Sequence, residues 1–339
     1  MKKILWCLLL APFFCAAQSY SIKPLNEHTK TSLRGLSVVS DQVTWVSGSN
    51  GAVGKTIDGG ITWKWVNPKG YGKIDFRDIE AFDDKQAIIV GIASPAYILK
   101  TVDGGETWTE NYKNVDSAIF LDGLGFWDKN RGIIFGDPIN DKMQLLKTVD
   151  AGKSWQDISK SLEINLTKGE ASFAASGTTI KTLPGGKTWI ATGGTVSNIY
   201  FSLNYGQTWQ VFKCPILQGE GSTGPFSIDF FNEKTGIVVG GNYLKDKENS
   251  NNVLLTNDGG KNWKKPAGPV LGFRSAVTYI NAKILIAAGT SGVDISTDSG
   301  QHWKQISNKS FNAVQKAKKG TAVLLAGNNG VIYQLDADN

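Results

Sequence analysis

Thr56-Ile57-Asp58-Gly59-Gly60-Ile61-Thr62-Trp63 decides the fold, because its pattern returns five more times along the chain. The pattern reads hydroxyl, any residue, Asp or Asn, any residue, Gly, any residue, a polar residue and Trp. The further copies begin at Thr101, Thr148, Ser202, Thr256 and Ser296, at intervals of 40 to 54 residues. Such a period is typical of one supersecondary unit that is built several times over.

The chemistry of each copy is that of a tight turn between two strands. A carboxylate and a hydroxyl at this spacing accept backbone N–H groups within the turn, the Gly adopts a positive φ, and the Trp packs between neighbouring sheets. The octapeptides resemble the Asp boxes of bacterial neuraminidase repeats. We therefore expect a structural role for Asp58, Asp103, Asp150, Asn204, Asp258 and Asp298, and for Trp63, Trp108, Trp155, Trp209, Trp263 and Trp303.

A second repeat sets the number of units. Seven apolar segments of strand length end in Gly. They span residues 44–48, 87–91, 132–136, 189–193, 236–240, 284–289 and 322–327. Without a 17-residue leader the chain has 322 residues, or 46 for each of seven units, which is the length of a propeller blade. The sequence therefore predicts an all-β, seven-bladed β-propeller with Asp-box repeats.

The two ends of the chain are expected to close this ring. The seventh unit has no complete Asp box, and its last strand pattern covers residues 331–335. At the other end, residues 20–25 form a strand pattern with no partner in sequence. We predict that this N-terminal strand completes blade 7, because closure removes the exposed strand edges that promote aggregation.

Residues 1–17 have the features of a secretory signal peptide. Lysines precede an apolar run over residues 4–14, and small residues lead to a predicted cleavage after Ala17. We expect an exported protein, periplasmic or extracellular, with a single propeller domain over residues 18–339. Two alternatives remain open: a retained membrane anchor or buried first strand, and a lipid attached to Cys15.

Composition excludes several classes of protein. Hydrophobic residues make up 41% of the chain and charged residues 19%, with 39 Gly, which excludes a disordered chain and argues against a helical bundle. Loss of the leader lysines lowers the formal net charge from +6 to +4, so we expect no nucleic-acid binding. The mature chain has no apolar run of eighteen residues, and we expect no stable membrane insertion. Its one cysteine, Cys214, cannot form an internal disulfide. We expect a monomer.

The arginines form the first candidate site. With the four strands of a blade named a to d from the channel outward, the Asp boxes join c to d, and the d–a and b–c loops share the opposite face. An alignment of the inner strands by their apolar pattern puts Arg34, Arg77 and Arg274 at one equivalent position, at the channel mouth on that face. The chain has only four arginines. A planar guanidinium suits bidentate binding of carboxylate or phosphate, so we predict one arc of ligand-binding arginines.

An internal role for these arginines is the open alternative, with pairing to Asp75, Asp78 or Asp122. Groups of the same face complete the candidate client-binding or ligand-binding site, which comprises Arg34, Arg77, Arg274, Asp78, Asp122, Asp137 and Glu170. Asn242, Tyr243 and Ser291 are placed on this face as well.

The whole mature chain resembles the photosystem II stability/assembly factor-like propellers. The resemblance rests on the Asp boxes and on short segments, namely 32–35, 75–82, 135–138, 170–177 and 273–275. It implies a seven-bladed propeller whose arginine patch binds a client protein during assembly of a membrane complex. By this resemblance Arg34, Arg77 and Arg274 become the candidate client contacts, with a protein or peptide as the partner and no enzymatic activity.

A sialidase-like glycoside hydrolase, or a carbohydrate-binding propeller, is the alternative function. Sialidases combine Asp boxes with three arginines that bind a carboxylate, and they also need a Tyr–Glu pair and an acidic Asp. Glu170, Tyr243 and Asp78 supply these residue types. Sialidases have six blades, however, whereas this chain has seven units.

The sequence indicates no cofactor and no metal. One cysteine and two histidines in the mature chain do not provide the ligands of a haem, zinc or iron–sulfur site or of a Ser-His-Asp triad. The glycine pairs that follow the strands are not followed by a helix, as a dinucleotide loop requires. A calcium ion at the Asp-box face is left open.

Overall fold

The computed structural model describes residues 19–26 and 30–338. The predicted signal peptide therefore lies outside the described residues. Helical structure in the described part is limited to single 3₁₀ turns at Ser159–Ser161 and Asn328–Gly330, and none of its helices is long and apolar enough to cross a membrane.

The described residues form 28 strands, numbered in chain order. They are β1 Ser19–Asn26, β2 Leu33–Val38, β3 Thr44–Gly48, β4 Val53–Thr56, β5 Lys64–Trp65, β6 Phe76–Ala81, β7 Ala87–Gly91, β8 Ala96–Thr101, β9 Thr109–Asn114, β10 Leu121–Phe126, β11 Gly132–Ile139, β12 Lys142–Thr148, β13 Gln156–Asp157, β14 Glu170–Ala171, β15 Ile180–Leu183, β16 Lys187–Gly194, β17 Asn198–Ser202, β18 Gln210–Lys213, β19 Thr223–Phe230, β20 Gly236–Asn242, β21 Val253–Thr256, β22 Ala276–Tyr279, β23 Leu285–Gly289, β24 Gly292–Ser296, β25 Lys304–Ser307, β26 Ala313–Lys316, β27 Val323–Ala326 and β28 Ile332–Asp338.

These strands pair into seven antiparallel sheets, which are the blades of a propeller. Blades 1 to 3 are β2–β5, β6–β9 and β10–β13. Blade 4 is β15–β18 with β14 beside β16, blade 5 is β19–β21, and blade 6 is β22–β25. Blade 5 has a single bridge, Leu255 to Lys264, in place of an outer strand. The predicted all-β, seven-bladed fold is confirmed.

Blade 7 joins the two ends of the chain, as predicted. Its sheet runs β26, β27, β28 and β1, so the N-terminal strand is its outer strand. The antiparallel register pairs Ser19 with Asp338 and Ile22 with Leu335, and Lys23 forms an ion pair of 3.0 Å with Asp336. Because the first and last described strands belong to one sheet, their pairing links blade 7 to blade 1.

The repeated octapeptides form hydrogen-bonded turns between strands c and d. In blade 1, the backbone N–H of Thr62 and its hydroxyl donate to the two carboxylate oxygens of Asp58, at 2.9 and 2.6 Å. The N–H of Gly60 donates to the Thr56 hydroxyl at 2.9 Å. The hydrogen bonds from Thr62 lower the pKa of Asp58 to about 2, so this carboxylate is ionised and committed to its own turn.

Each of these turns places two consecutive residues at positive φ. The fifth residue is always Gly, with φ between +73° and +92°. The fourth residue is Gly in three copies, but it is Ala151, Tyr205 or Ser299 in the others, with φ of 60° to 64°. A side chain in this left-handed region costs about 1 kcal/mol relative to Gly.

We therefore predict that Ala151→Gly raises the free energy of unfolding by about 1 kcal/mol. The gain comes from relief of the left-handed strain, and denaturant titration measures it. The matched control is Ala96→Gly, where φ is not positive, and which should lower stability because Gly weakens a strand. Equal effects of the two substitutions would contradict the explanation.

The core lies between adjacent blades. Trp45 of blade 1 is fully buried, its indole N–H donates to the carbonyl of Asp83 in blade 2 at 2.9 Å, and its ring meets Trp108 edge-on at 6.4 Å. Cys214 lies in a similar apolar cluster. Burial raises the pKa of its thiol to about 12, so this cysteine is an unreactive core residue.

Candidate binding site at the channel mouth

A bulge at the start of the inner strand supplies the side chains of the mouth. In blade 1, Leu33 pairs with Gly48 and Gly35 pairs with Ser47, so Arg34 is the extra residue. The same shift occurs in three other blades. The extra residues are Arg34, Arg77, Asp122 and Phe226 in blades 1, 2, 3 and 5. A bulge re-aims a side chain out of the sheet; Arg34, Arg77 and Phe226 are turned toward the mouth cavity, whereas Asp122 is buried.

Arg274 does not occupy this position, contrary to the sequence alignment. Ala276 pairs with Ala288 just as Gly35 pairs with Ser47, so Ser275 is the counterpart of Arg34. Arg274 is instead the counterpart of Leu33, and the N–H groups of both donate to the last Gly carbonyl of the preceding blade. A shift of one residue in a strand turns a side chain to the other face.

The Arg274 side chain is consequently internal, but its partner is Asp294 and none of the three expected acids; of the expected pairings, the structure contains that of Arg77 with Asp75. It is fully buried, and its Nε and Nη2 lie 2.9 and 2.7 Å from Oδ2 of Asp294. Its remaining donors reach the Ser291 hydroxyl at 2.6 Å and the carbonyls of Phe273 and Leu271 at 2.8 and 3.1 Å. Arg274 therefore holds the loop that carries Phe273 and does not contact the mouth.

Arg34 and Arg77 line one wall of a cavity of 390 Å³ at the mouth. Nη1 of Arg34 donates to the Ala175 carbonyl at 3.1 Å, and Nε of Arg77 donates to Asp75 at 2.8 Å. The other guanidinium nitrogens make no hydrogen bond within the described residues. Burial, followed by the nearby charge of Arg77, lowers the pKa of Arg34. Two like charges with unused donors favour an anionic group between them.

Of the predicted acidic residues, only Asp137 lines this cavity. One of its carboxylate oxygens accepts the N–H of Ser172 at 2.9 Å. Asp122 lies deeper: it is 1% exposed, and neither of its oxygens has a hydrogen-bond partner among the described residues. Burial, then the charge of Asp137, raise the pKa of Asp122, while the charge of Arg77 and, less strongly, the nearby backbone N–H of Asp137 oppose the shift.

We predict that Asp122→Asn stabilises the protein at neutral pH, by about 1 kcal/mol or more. A carboxyl whose pKa is raised by folding makes the native state lose stability as pH rises from the ordinary value of 3.8 through the raised one. The variant should lack this decline, which unfolding titrations between pH 4 and 8 measure.

Asp103→Asn is the control, because it should lower the free energy of unfolding at neutral pH. Hydrogen bonds from Thr107 lower the pKa of Asp103 to about 2, so this carboxylate stabilises the fold above its ordinary pKa and the contribution is lost on acidification toward pH 2. An Asp122→Asn variant that is less stable than the wild type at pH 7 would contradict the account.

Glu170 and Asp78, two further predicted residues, do not belong to the mouth cavity. Glu170 is 2% exposed, and it accepts hydrogen bonds from Thr192, Asn198, Tyr200 and the N–H of Thr167. Asp78 accepts the N–H groups of Leu124 and Ile79 at 2.6 and 2.8 Å and faces the opposite end of the channel. Both carboxylates hold the scaffold together.

The far wall of the mouth is aromatic, which the sequence interpretation missed apart from Tyr243. The aromatic shelf comprises Phe173, Phe226, Tyr243 and Phe273, and a fifth aromatic residue, Phe120 of blade 3, lines the cavity outside this shelf. Phe173 stacks on Phe226 with centroids 3.9 Å apart, and Phe226 meets Phe273 and Tyr243 edge-on at 4.7 and 6.0 Å. An alignment of blade 5 with blades 1 and 2 would have placed Phe226 at the position of Arg34 and Arg77, and this could have indicated an aromatic residue at the mouth.

Residues 172–178 form the floor of the mouth, and we call this segment the central plug. It is held by several blades: Ser172 by Asp137, Ala175 by Arg34, Ser176 by the Ser275 carbonyl at 2.8 Å, and Thr178 by the Ser227 hydroxyl at 2.7 Å. Gly177 has φ +70°, and a Cβ there would lie 2.4 Å from the carboxyl carbon of Asp78. Only Gly fits this approach. The plug separates the mouth cavity from a second one of 300 Å³.

A larger cavity of 720 Å³ lies on the Asp-box face, beside blade 7. It occupies the place where a turn would join β28 to β1 if these strands were consecutive. Its acidic residues are already engaged, since Asp58 binds Thr62 and Asp41 accepts the N–H groups of Thr321 and Ala322 at 2.7 Å. The mouth, with unused arginine donors, is therefore the stronger candidate site.

Metal ligands do not converge in the described part of the chain. No group of three or more His, Cys, Asp or Glu side chains there is arranged to hold a metal ion. The mouth cavity is lined by one carboxylate, Asp137, and two arginines, of which Arg77 is also paired with Asp75; the free guanidinium donors suit an organic anion better than a cation.

Comparisons with known proteins support the fold. No family model matches the chain, and no curated protein matches it. Among solved structures, YCF48 bound to a D1 peptide is 18% identical with a TM-score of 0.67, over 94% of this chain and 97% of that one. YCF48 from Cyanidioschyzon merolae is 15% identical with a TM-score of 0.64, over 93% and 98%. The WD40 propeller domain of Doa1 is 11% identical with a TM-score of 0.62, over 94% and 97%. These likenesses establish the propeller architecture.

Proposed function

We propose that this protein is an exported, non-enzymatic propeller that binds a protein or peptide client at the channel mouth. The observation that carries the proposal is the pair Arg34 and Arg77, whose unused donors face an open cavity that is also lined by aromatic side chains. A carboxylate of the client binds between the two guanidinium groups, because each can donate two parallel hydrogen bonds to it.

The structural neighbours support a peptide-binding role for the propeller. One of the YCF48 structures is described as bound to a D1 peptide, and it covers nearly the whole of this chain. The role of the present protein would be similar in kind, namely assembly or stabilisation of a client, and the proposed export rests on the leader in residues 1–17.

The glycoside hydrolase alternative is not favoured. A sialidase needs a nucleophilic Tyr beside a Glu at an open site. Here Glu170 pairs with Tyr200 at 3.0 Å, but both side chains are buried, and burial together with Glu170 raises the pKa of Tyr200. Arg274 is buried as well, so the three arginines do not converge on one carboxylate.

Affinity capture from an envelope fraction tests the proposal. The bait is the wild-type protein or an Arg34→Gln/Arg77→Gln variant, and mass spectrometry identifies the captured proteins. The control is Arg131→Gln, which removes an arginine of the Asp-box face. We expect a client that is enriched by the wild type and the control and lost with the double variant. Capture that is equal for all three baits would contradict the proposal.

A further inference from the structure

The mouth is polarised around its circumference. The bulge residues of blades 1 to 3 are Arg34, Arg77 and Asp122, and that of blade 5 is Phe226. The equivalent positions of blades 6 and 7 are Ser275 and Asn312, as the pairing of the following residues shows. At this one position the ionisable residues lie in blades 1 to 3, with Asp122 buried, and the neutral or aromatic residues lie in blades 5 to 7.

The aromatic half is accessible to a ligand. Tyr243 is 47% exposed, and its neighbour Leu244 is 73% exposed. Phe173 is partly exposed and rests on the buried ring of Phe226, which fixes its position. Rigid aromatic side chains that are supported from behind are the usual energetic centres of a binding surface.

We propose that the client residue next to the bound carboxylate is aromatic or large aliphatic, and that the aromatic shelf selects it. This inference rests on the proposed function and specifies its ligand. Arg34 and Arg77 bind the carboxylate on one wall, and Phe173 and Tyr243 contact the adjacent apolar side chain on the other.

The closed floor limits what the mouth accepts. Because the central plug, residues 172–178, blocks the channel, a peptide cannot pass through it. A cavity of 390 Å³ holds roughly two side chains or a chain end. The bound feature is therefore short: one carboxylate and one apolar group side by side. The carboxylate comes either from an Asp or Glu side chain or from a C-terminus.

A peptide array tests separately whether binding needs the carboxylate and whether it needs the adjacent apolar side chain. The probes are hexapeptides Gly-Ser-X-Z-Ser-Gly with every pair of residues at X and Z, each made with a free C-terminus and as an amide. A second series ends directly after Z. We expect the strongest binding from peptides that combine a carboxylate with an adjacent Phe, Tyr, Trp, Leu or Ile. Retention of binding in the amides assigns the carboxylate to a side chain, whereas loss assigns it to the chain end.

Two variants test which wall recognises which group. Tyr243→Ala should weaken the best acidic–aromatic peptide about tenfold and leave the matching acidic–serine peptide unchanged. Arg77→Gln should weaken both peptides. Ile61→Ala and Arg131→Gln are the controls, because they alter an exposed aliphatic residue and an arginine of the opposite face. Isothermal titration of these pairs gives the coupling between each wall and its group.

The outcomes distinguish this inference from the function on which it rests. If the best peptides lack either a carboxylate or an apolar neighbour, or if no peptide of the array binds, the recognition rule is wrong. The same holds if Tyr243→Ala weakens acidic–serine and acidic–aromatic peptides equally. In each case the proposed function still stands if affinity capture returns a client that depends on Arg34 and Arg77.

Discussion

Replacement of Arg274 by Met is expected to lower the free energy of unfolding by about 3–5 kcal/mol. The guanidinium is fully buried and lies 2.7 Å from the Asp294 carboxylate, which is buried too. Its removal leaves that carboxylate without its counter-ion. Urea or thermal unfolding measures the loss. Arg34→Met and Arg77→Met, at partly exposed positions, should each cost less than about 1 kcal/mol.

The double variant Arg274→Met/Asp294→Leu is the control for this prediction. It removes both charges, and it should recover most of the lost stability, because a buried ion pair contributes little net stability relative to apolar residues of similar volume. If Arg274→Met leaves stability unchanged and instead abolishes client binding, Arg274 is a contact residue of the mouth, and the strand register of blade 6 is wrong.

Deletion of residues 19–26 is the second change with a large expected effect. It removes β1, whose partly buried Ile22 and Leu25 pack against neighbouring clusters. Full burial of two such side chains is worth about 3–6 kcal/mol, and their partial burial about half of that. The deletion also exposes the edge of β28, which then offers unpaired backbone groups to other chains. We expect a lower melting temperature and concentration-dependent association in light scattering.

A synthetic peptide with the sequence of residues 19–26 provides the test of mechanism. Added in excess, it should pair with β28 and restore the melting temperature of the truncated protein, whereas a scrambled peptide should not. A truncated protein that remains monomeric and as stable as the full chain would contradict closure by the N-terminal strand.

The repeats made the fold predictable. The octapeptide contains a turn with a positive φ at Gly60 and then an apolar residue that packs between sheets. Few folds other than a propeller repeat this combination. The count of seven followed from strands that end in Gly, such as Gly48 and Gly91. In the structure a Cβ at Gly48 would lie 2.1 Å from the Ser32 carbonyl oxygen. This residue is therefore fixed by the close approach of the inner strand.

The position of Arg274 was not predictable from the apolar pattern. Phe273-Arg274-Ser275 matches Phe76-Arg77-Asp78 by residue type, but strand pairing shifts it by one residue. A local pattern does not contain this information, because register is set by partners on the next strand. The central plug was hidden for a related reason: apart from Phe173, residues 172–178 are small, and their contacts lie in other blades, far away in sequence.

The candidate site was predicted in part. Arg34, Arg77 and Asp137 line the mouth, whereas Asp122 and Glu170 are buried and Asp78 faces the other end of the channel. Charged residues are visible in a sequence as candidates for binding, but their burial depends on the packing of neighbouring blades. The aromatic residues of the mouth could not be recognised as binding residues from the sequence, because a Phe in a strand is ordinarily a core residue.

Photocrosslinking at the mouth tests the central claim most directly. The photoreactive residue p-benzoylphenylalanine replaces Tyr243, which is 47% exposed at the mouth, or Ile61, which is 84% exposed on the Asp-box face, and each protein is irradiated in an envelope fraction. We predict a discrete crosslinked client with the mouth probe, its loss when Arg34 and Arg77 are changed to Gln, and no such product with the probe at position 61. The same client crosslinked from position 61 and not from position 243 would place the binding site on the other face.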